Sequence, residues 1–174
     1  MKVNFTALFF VFTMIAIPVV WAAETVDMHR LTIEGTGEKI GTVTVSDTDY
    51  GTLFTPELSG LPPGLHGFHV HEKGNCGPAE KDGKMAAGLA AGGHFDPDKT
   101  GSHKGPYENG HKGDLPPLYV DPSGAATHSV LAPRIKSSEL KGLSLMIHES
   151  GDNYSDTPKK LGGGGGRIAC GVVK

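Results

Sequence analysis

From Val26 to the C-terminus every apolar run in this chain is short, and none recurs at a helical period. Met28-His29-Arg30-Leu31-Thr32-Ile33 alternates, and Ile40-Gly41-Thr42-Val43-Thr44-Val45 alternates while rich in β-branched residues. Gly51 to Leu58 is a third run, and Asp47-Thr48-Asp49-Tyr50-Gly51 before it has hairpin-turn chemistry. Leu65 to His71, Leu118 to Val120, Ala125 to Leu131, Leu143 to His148 and Ile168 to Val173 bring the expectation to about eight strands. Alternation with a period of two puts one set of side chains in a core and the other in water. The pattern predicts an all-β sandwich or barrel.

Two segments break that rhythm. Residues 72–115 hold almost no apolar run and are crowded with Gly, Lys, Asp and His, and residues 149–166 end in five consecutive glycines, Gly162 to Gly166. Loops this long inside a compact domain are usually functional. The glycine run reads either as a flexible linker or as the flexible rim of an active site. Only a final strand follows it, which favours the rim.

Histidine is what the loops have to pin them. Six of the nine histidines lie between Gly64 and Asp114, and His148 ends an apolar strand. His69 and His71, two apart on a strand, project from one face, with Val70 on the other. His66 is off that face by an odd spacing and reads as a buried hydrogen-bonding residue. His148 falls opposite Leu143, Leu145 and Ile147. His111 and Asp114, three apart across Lys112-Gly113, can bring nitrogen and oxygen to one ion. His29 and His128, in ordinary alternating runs, read as surface or packing residues. Tetrahedral zinc takes such His and Asp ligands, and imidazole-rich sites without thiolate suit Cu(II). The histidines are too many for one tetrahedral ion, so the pattern predicts two metals.

The first residues read as an address. Lys2 precedes an uncharged apolar run from Phe5 to Val20, and Val20-Trp21-Ala22 offers small residues at the positions a signal peptidase needs. The run is shorter than the about 20 residues of a membrane-spanning helix. The expectation is a cleaved secretory signal peptide over 1–22, one domain over 23–174, and no membrane anchoring after cleavage. The whole chain has a formal net charge of −3, and residues 1–22 hold one lysine and no acid. A mildly acidic domain has no electrostatic case for nucleic acid, and any anion must be drawn by local positive charge. Cys76 and Cys170 in an exported chain read as one disulfide. Closing so long a loop is worth about 4–5 kcal/mol in the chain-entropy model. The alternative, two thiolates on a metal, is disfavoured by export and by their distance in sequence from the histidines.

Gly64-Leu65-His66-Gly67-Phe68-His69-Val70-His71-Glu72, Gly93-His94-Phe95-Asp96-Pro97, His111-Lys112-Gly113-Asp114-Leu115-Pro116 and Gly166-Arg167-Ile168-Ala169-Cys170-Gly171-Val172 resemble, in this order, the signatures of copper/zinc superoxide dismutases. The likeness spans nearly all of 23–174. Residues 72–93, with Asp152-Asn153-Tyr154-Ser155-Asp156, resemble the bacterial exported branch more than the cytosolic eukaryotic one. The resemblance implies an eight-stranded antiparallel Greek-key barrel with two long functional loops, one copper and one zinc per chain, a periplasmic location, and a monomer or homodimer. It implies that His69, His71, His94 and His148 bind copper, and that His94, His103, His111 and Asp114 bind zinc, with His94 bridging as an imidazolate. It also implies that Asp152 bonds one histidine of each site, that Cys76 and Cys170 tie the long loop to the last strand, and that Arg167 stands at the copper channel.

The implied reaction converts superoxide to dioxygen and hydrogen peroxide. It needs a metal that accepts and returns one electron, which copper does and zinc cannot. By the same resemblance His94 takes up a proton when copper is reduced, and Arg167, always charged, attracts and orients the anion. The steering charges of the cytosolic branch have no clear match in residues 149–160, which leaves Lys159 and Lys160, or Lys73, Lys81 and Lys84, as alternatives. Two other readings compete. A non-catalytic copper/zinc carrier on the same fold would lack one of these ligands or Arg167, and none is missing. A zinc hydrolase needs an open zinc position, whereas three His and one Asp fill four.

Overall fold

The structure is a computed structural model that describes residues 23–174. The expected signal peptide, 1–22, lies outside the described residues. Eleven strands follow in order: β1 (Glu24–Thr32), β2 (Gly35–Thr48), β3 (Gly51–Leu58), β4 (Gly64–His66), β5 (Phe68–His71), β6 (Ala79–Lys81), β7 (Lys84–Ala86), β8 (Leu118–Val120), β9 (Val130–Ala132), β10 (Ser144–His148) and β11 (Arg167–Val172). Seven of them form one antiparallel sheet in the order β5-β10-β11-β1-β2-β3-β9, while β4 pairs with β8 and β6 with β7. β9 ends the sheet beside β3, yet the next strand, β10, lies beside β5 near the other end. The connection 133–143 therefore crosses the curled sheet, a Greek-key path.

Period-two alternation does what the sequence predicts. Val26 and Met28, Val43 and Val45, Phe54, Phe68 and Val70, Leu118 and Val120, and Leu145 and Ile147 face one shared core. Phe54 and Phe68 meet edge to face, 5.7 Å between ring centres. Burying each such side chain contributes about 1.5–3 kcal/mol. On the outer face of β10 and β11 a smaller cluster of Leu31, Cys76, Ala91, Met146 and Cys170 lies under the 72–93 loop. Cys76 and Cys170 are disulfide-bonded there, with Cα atoms 5.8 Å apart, so neither is a metal ligand.

All eight expected runs contribute strands, with three differences. The run Leu65 to His71 divides at Gly67, which leaves the β8 partner, donates its N–H to Ser150 O (2.8 Å) and accepts from His148 N (2.8 Å). Of Ala125 to Leu131 only the end joins the sheet, while Ala126 makes an isolated bridge to Leu58. The third difference is the β6–β7 hairpin, within a segment expected to be irregular. Its turn residues, Asp82 (φ 53°) and Gly83 (φ 75°), adopt the left-handed pair a tight hairpin requires.

Candidate metal centre

β5 carries His69 and His71 at the end of the large sheet, and the long loop uses its free edge. Val70 N donates to Gly113 O (2.8 Å), Phe95 N to Val70 O (2.8 Å) and Gly113 N to Phe95 O (2.8 Å). These sheet-like bonds set His94 beside His71 and Asp114 beside His69. They also explain the glycine between Lys112 and Asp114: a Cβ at Gly113 would collide with the Val70 carbonyl and lie 2.8 Å from Phe95 N. On the other side of β5, β10 delivers His148. A register shift after Ile147 puts His148 opposite Arg167.

The ring nitrogens sort themselves. Metal-binding atoms of His69, His71, His94 and His148, all buried, lie within 4.8 Å of one another. His71 Nδ1 donates to Gly92 O (2.9 Å), which leaves Nε2, 3.3 Å from His148 Nε2. His69 Nε2 donates to Asp152 Oδ2 (2.7 Å) and His94 Nδ1 to Asp114 Oδ1 (2.8 Å). His69 Nδ1 and His94 Nε2 are thereby buried without a partner. A second group joins His69, His94, His103 and Asp114. His103 Nε2 donates to Asp152, 2.8 Å from Oδ1 and 3.0 Å from Oδ2. Its Nδ1 stands 3.0 Å from Asp114 Oδ1 without a hydrogen bond.

His111 does not enter that second group. Its ring centre is 5.4 Å from that of His94 and 6.0 Å from that of His103, and its unpartnered Nδ1 lies 3.5 Å from Asp114 Oδ1. His69 takes the fourth place because Asp152 holds it and His103 together, and because it stacks on His94 at 3.9 Å. Buried polar atoms are rarely left unpaired. Here four imidazole nitrogens are, on His69, His94, His103 and His111. A donor set of imidazole nitrogens with one carboxylate suits copper and zinc, and His94, with Nε2 unpartnered and Nδ1 on Asp114, belongs to both groups, as does His69. The residues present fit two cations.

Electrostatics separates the two groups. Burial, then the repulsion that charge would meet from the neighbouring rings and Arg167, holds His71 and His148 well below the ordinary imidazole value, and burial with the neighbouring rings brings His94 to about 3. Burial also lowers His69, against the pull of Asp152. These four rings are neutral, with lone pairs free. Burial opposes charge on His103 too, but Asp114 and Asp152 outweigh it and raise the ring to about 9. Despite burial, both carboxylates are lowered by the histidine hydrogen bonds they accept.

A cleft of about 750 Å³ opens onto His71, His94 and His148 beside Arg167. The half-buried guanidinium is fixed by Gly88 O and Gly92 O, each at 2.6 Å. The Gly92 carbonyl also accepts from His71, so the loop that the disulfide ties to β11 positions both. Lys81, Lys159 and Lys160 line the cleft, as does Glu149; Lys73 and Lys84 do not. The glycine run does rim the cleft, through Gly163, Gly165 and Gly166, and backbone hydrogen bonds hold it. Ser150 N bonds Gly164 O, Glu149 N bonds Gly166 O (both 2.8 Å) and Asn153 N bonds Gly162 O (3.1 Å). Gly162 (φ 70°) packs so closely on Asp152 that a Cβ would overlap its carboxylate and lie 2.7 Å from His103 Nε2. Glycine is there for fit.

His66 is buried and bonded to the His148 and Pro62 carbonyls, His29 is half-buried and His128 exposed. Sequence reasoning missed the carbonyls of Gly88 and Gly92, for which residue type gives no signal. It also missed Asp156, whose carboxylate accepts from His103 N (2.9 Å) and Leu161 N (3.1 Å). A short acidic side chain in a Ser-Asp-Thr-Pro turn is the signal that could have found it.

A family model described as copper/zinc superoxide dismutase (SODC) matches residues 39–173. The Superoxide dismutase [Cu-Zn] 1 of Salmonella typhimurium is 62% identical over 152 residues, 86% of each chain. The Cu/Zn superoxide dismutase of Brucella abortus superposes with a TM-score of 0.87 at 49% identity, over 88% of this chain and all of that one. The solution structure of the monomeric copper, zinc superoxide dismutase of Salmonella enterica gives a TM-score of 0.79 at 56% identity, again over 88% of this chain and all of that one. The chain thus belongs to the copper/zinc superoxide dismutase family, oxidoreductases that use copper and zinc to dismute superoxide.

Proposed function

We propose that His69, His71, His94 and His148 hold the copper and that His94, His103, His111 and Asp114 hold the zinc, with His94 shared. The observation that carries this is the nitrogen inventory: Nδ1 of His69, His103 and His111 and Nε2 of His94 are buried without a partner, Nε2 of His71 and His148 face each other at 3.3 Å, and the other nitrogens of His69, His71, His94 and His103 are spent on a carbonyl or carboxylate. His111, whose Nδ1 lies 3.5 Å from Asp114 Oδ1, would complete the zinc set from the Asp114 side. Copper would supply the one-electron exchange of dismutation, and zinc, which has no redox chemistry, would supply positive charge.

The remaining steps belong to the chain. Arg167 receives superoxide in the cleft, its guanidinium aimed by two carbonyls so that ordering costs little when the anion arrives. Lys81, Lys159 and Lys160 concentrate the anion at the mouth, which an acidic chain needs from local charge. His94 holds and yields a proton at Nε2 while Nδ1 stays committed to the Asp114 side. Asp152, bonded to Nε2 of both His69 and His103, turns their Nδ1 atoms inward. A carrier would need no open approach, and the cleft beside Arg167 favours the enzyme.

The domain reading stands with it: residues 1–22 are a cleaved signal peptide, and 23–174 work in the periplasm without an anchor. Every residue of both sites comes from one chain, so a monomer, as described for the Salmonella enterica relative, is a complete catalyst whether or not two copies pair. The test is superoxide removal by the purified exported protein, with metal content and N-terminal mass measured on the same sample. One copper and one zinc per chain, activity lost on copper removal and restored by copper, and a chain beginning at Ala23 are expected. Full loading without activity would leave the carrier.

A further inference from the structure

The crossing connection 133–143 reaches back to the long loop at one point. Arg134, half-buried on it, donates through Nη2 to Gly110 O (2.9 Å) and through Nη1 to His111 O (3.4 Å). Further along, Glu139 pairs with Lys112, the residue after His111. The platform beneath these contacts is fastened to the sheet. Glu139 Oε2 accepts from Lys136 N (3.0 Å), and Asp47 at the end of β2 accepts from Ser137 N (2.9 Å) and Ser137 Oγ (2.6 Å). Thr52 of β3 donates to Ile135 O (2.8 Å). Bonds thus run without a break from β2 and β3 to the peptide on both sides of His111.

His111 is the histidine that needs this. Asp152 orients His69 and His103, Asp114 orients His94, and the Gly92 carbonyl orients His71. The His111 ring has no hydrogen-bond partner at Nδ1 and is the most exposed of the rings paired with these carboxylates, at 11%. Its placement has to come from its backbone, whose N–H donates to Ser102 O (2.9 Å) and whose carbonyl accepts from Asp114 N (3.3 Å), and Arg134 is the side chain that ties this turn to the sheet.

We propose that Arg134 is a positioning residue for zinc. It grips the Gly110 and His111 carbonyls so that His111 Nδ1 stays turned toward Asp114, with the Lys112–Glu139 pair as a second strap. The inference rests on the assignment of His111 to zinc. A guanidinium suits the task because its planar fork spans two successive carbonyls, which an ammonium does not. The three copper histidines carried by β5 and β10, His69, His71 and His148, gain nothing from this clamp.

The experiment follows zinc release from the fully loaded protein to a chromogenic chelator, alongside copper retention and thermal unfolding of the metal-free form. Wild type, Arg134→Ala, Arg134→Lys and His111→Ala are compared. Zinc release should quicken about tenfold in Arg134→Ala, the low end of what loss of an outer partner of a metal site costs. Arg134→Lys should fall between it and wild type, and His111→Ala should be fastest. Copper retention and metal-free stability should stay at wild-type values in both Arg134 variants. Unchanged zinc release would overturn the proposal, and so would equal acceleration of copper and zinc release, or a metal-free protein destabilised as much as the loaded one. If Arg134→Ala does not fold, Arg134→Lys carries the test, since it keeps the charge and loses the fork. If His111→Ala holds zinc as tightly as wild type, the ligand assignment fails first and the clamp with it.

Discussion

The copper half of the proposed centre is built on strands and the zinc half on loops. His69 and His71 stand on β5 and His148 ends β10, three neutral rings fixed by a hydrogen-bonded sheet. His103, His111 and Asp114 stand on irregular backbone and depend on borrowed supports: Asp152 and Asp156 for His103, the Gly113 docking bonds for Asp114, and Arg134 for His111. The charge differs in the same sense, with depressed pKa values on the strand-borne rings and a raised one on His103 between two carboxylates. A sheet can present redox ligands in a fixed geometry before any metal arrives. A loop needs an ion, or a surrogate such as the His103 proton, to neutralise the carboxylates gathered there.

The largest effect should come from cutting into the strand-borne half. His148→Ala removes one of four nitrogens from a ready-made quartet and should lower activity by about 100-fold or more, beyond the loss typical of an outer partner. Zinc content should stay at wild-type level, because His148 is not in the second group. Metal analysis and superoxide assay on one preparation check this, and loss of both metals together would break the division into halves.

Asp152→Asn probes the carboxylate that bonds one histidine of each half, His69 and His103. An amide can accept from one imidazole but offers its N–H₂ to the other, so one of His69 and His103 loses its orienting acceptor. Zinc affinity, read by chelator competition, should fall about 10–100-fold. Copper affinity should fall less, because β5 still holds the His69 backbone. Equal losses would mean that strand placement contributes little.

Stability of the metal-free protein against pH should show the contrast with opposite signs. His103 has a folded pKa of about 9, above its ordinary value of 6.5. Its contribution is fully present below about 6.5 and is lost as pH rises through about 9. His94, at about 3, and the other lowered rings work the other way, since the unfolded chain binds protons that the folded one refuses. They cost stability as pH falls below about 6.5. Thermal unfolding in chelator should therefore peak at about pH 6.5 and fall on both sides, and His103→Gln should flatten the alkaline limb alone.

The same division explains what the sequence could disclose. Period-two alternation locates the strands, and with them the shared face of His69 and His71 and the odd position of His66, because side-chain direction on a strand is fixed by parity. Ala125 to Leu131 over-reads as a strand because Ala125-Ala126-Thr127-His128-Ser129 is too small and polar to demand burial. The β6–β7 hairpin carries a turn signal in Asp82-Gly83, but no apolar alternation flanks that pair to mark strands. On the loops, residue types named the histidines but not their supports: Arg134, Gly88 and Gly92 act through backbone carbonyls, which every residue has. Where His111 sits relative to His94 and His103 depends on those supports, and no spacing rule reaches it.

The smallest effect concerns the mouth of the cleft, where the two halves share a solvent face. Lys159→Gln together with Lys160→Gln removes two of the three lysines lining it, and attraction through solvent at that range is modest and screened over about 8 Å at physiological ionic strength. At low salt kcat/KM should fall about two- to threefold, with a flatter salt dependence, while kcat and metal content hold. The change should vanish at high salt. Arg167→Ala should cost more, and that cost should persist in salt, because this guanidinium is half-buried and fixed to Gly88 and Gly92 beside the copper rings. Lys73→Gln with Lys84→Gln, outside the cleft, is the matched control and should change neither rate nor salt slope. If that control pair shifts the slope as strongly, superoxide responds to the charge of the whole loop face, and the cleft lysines have no steering role of their own.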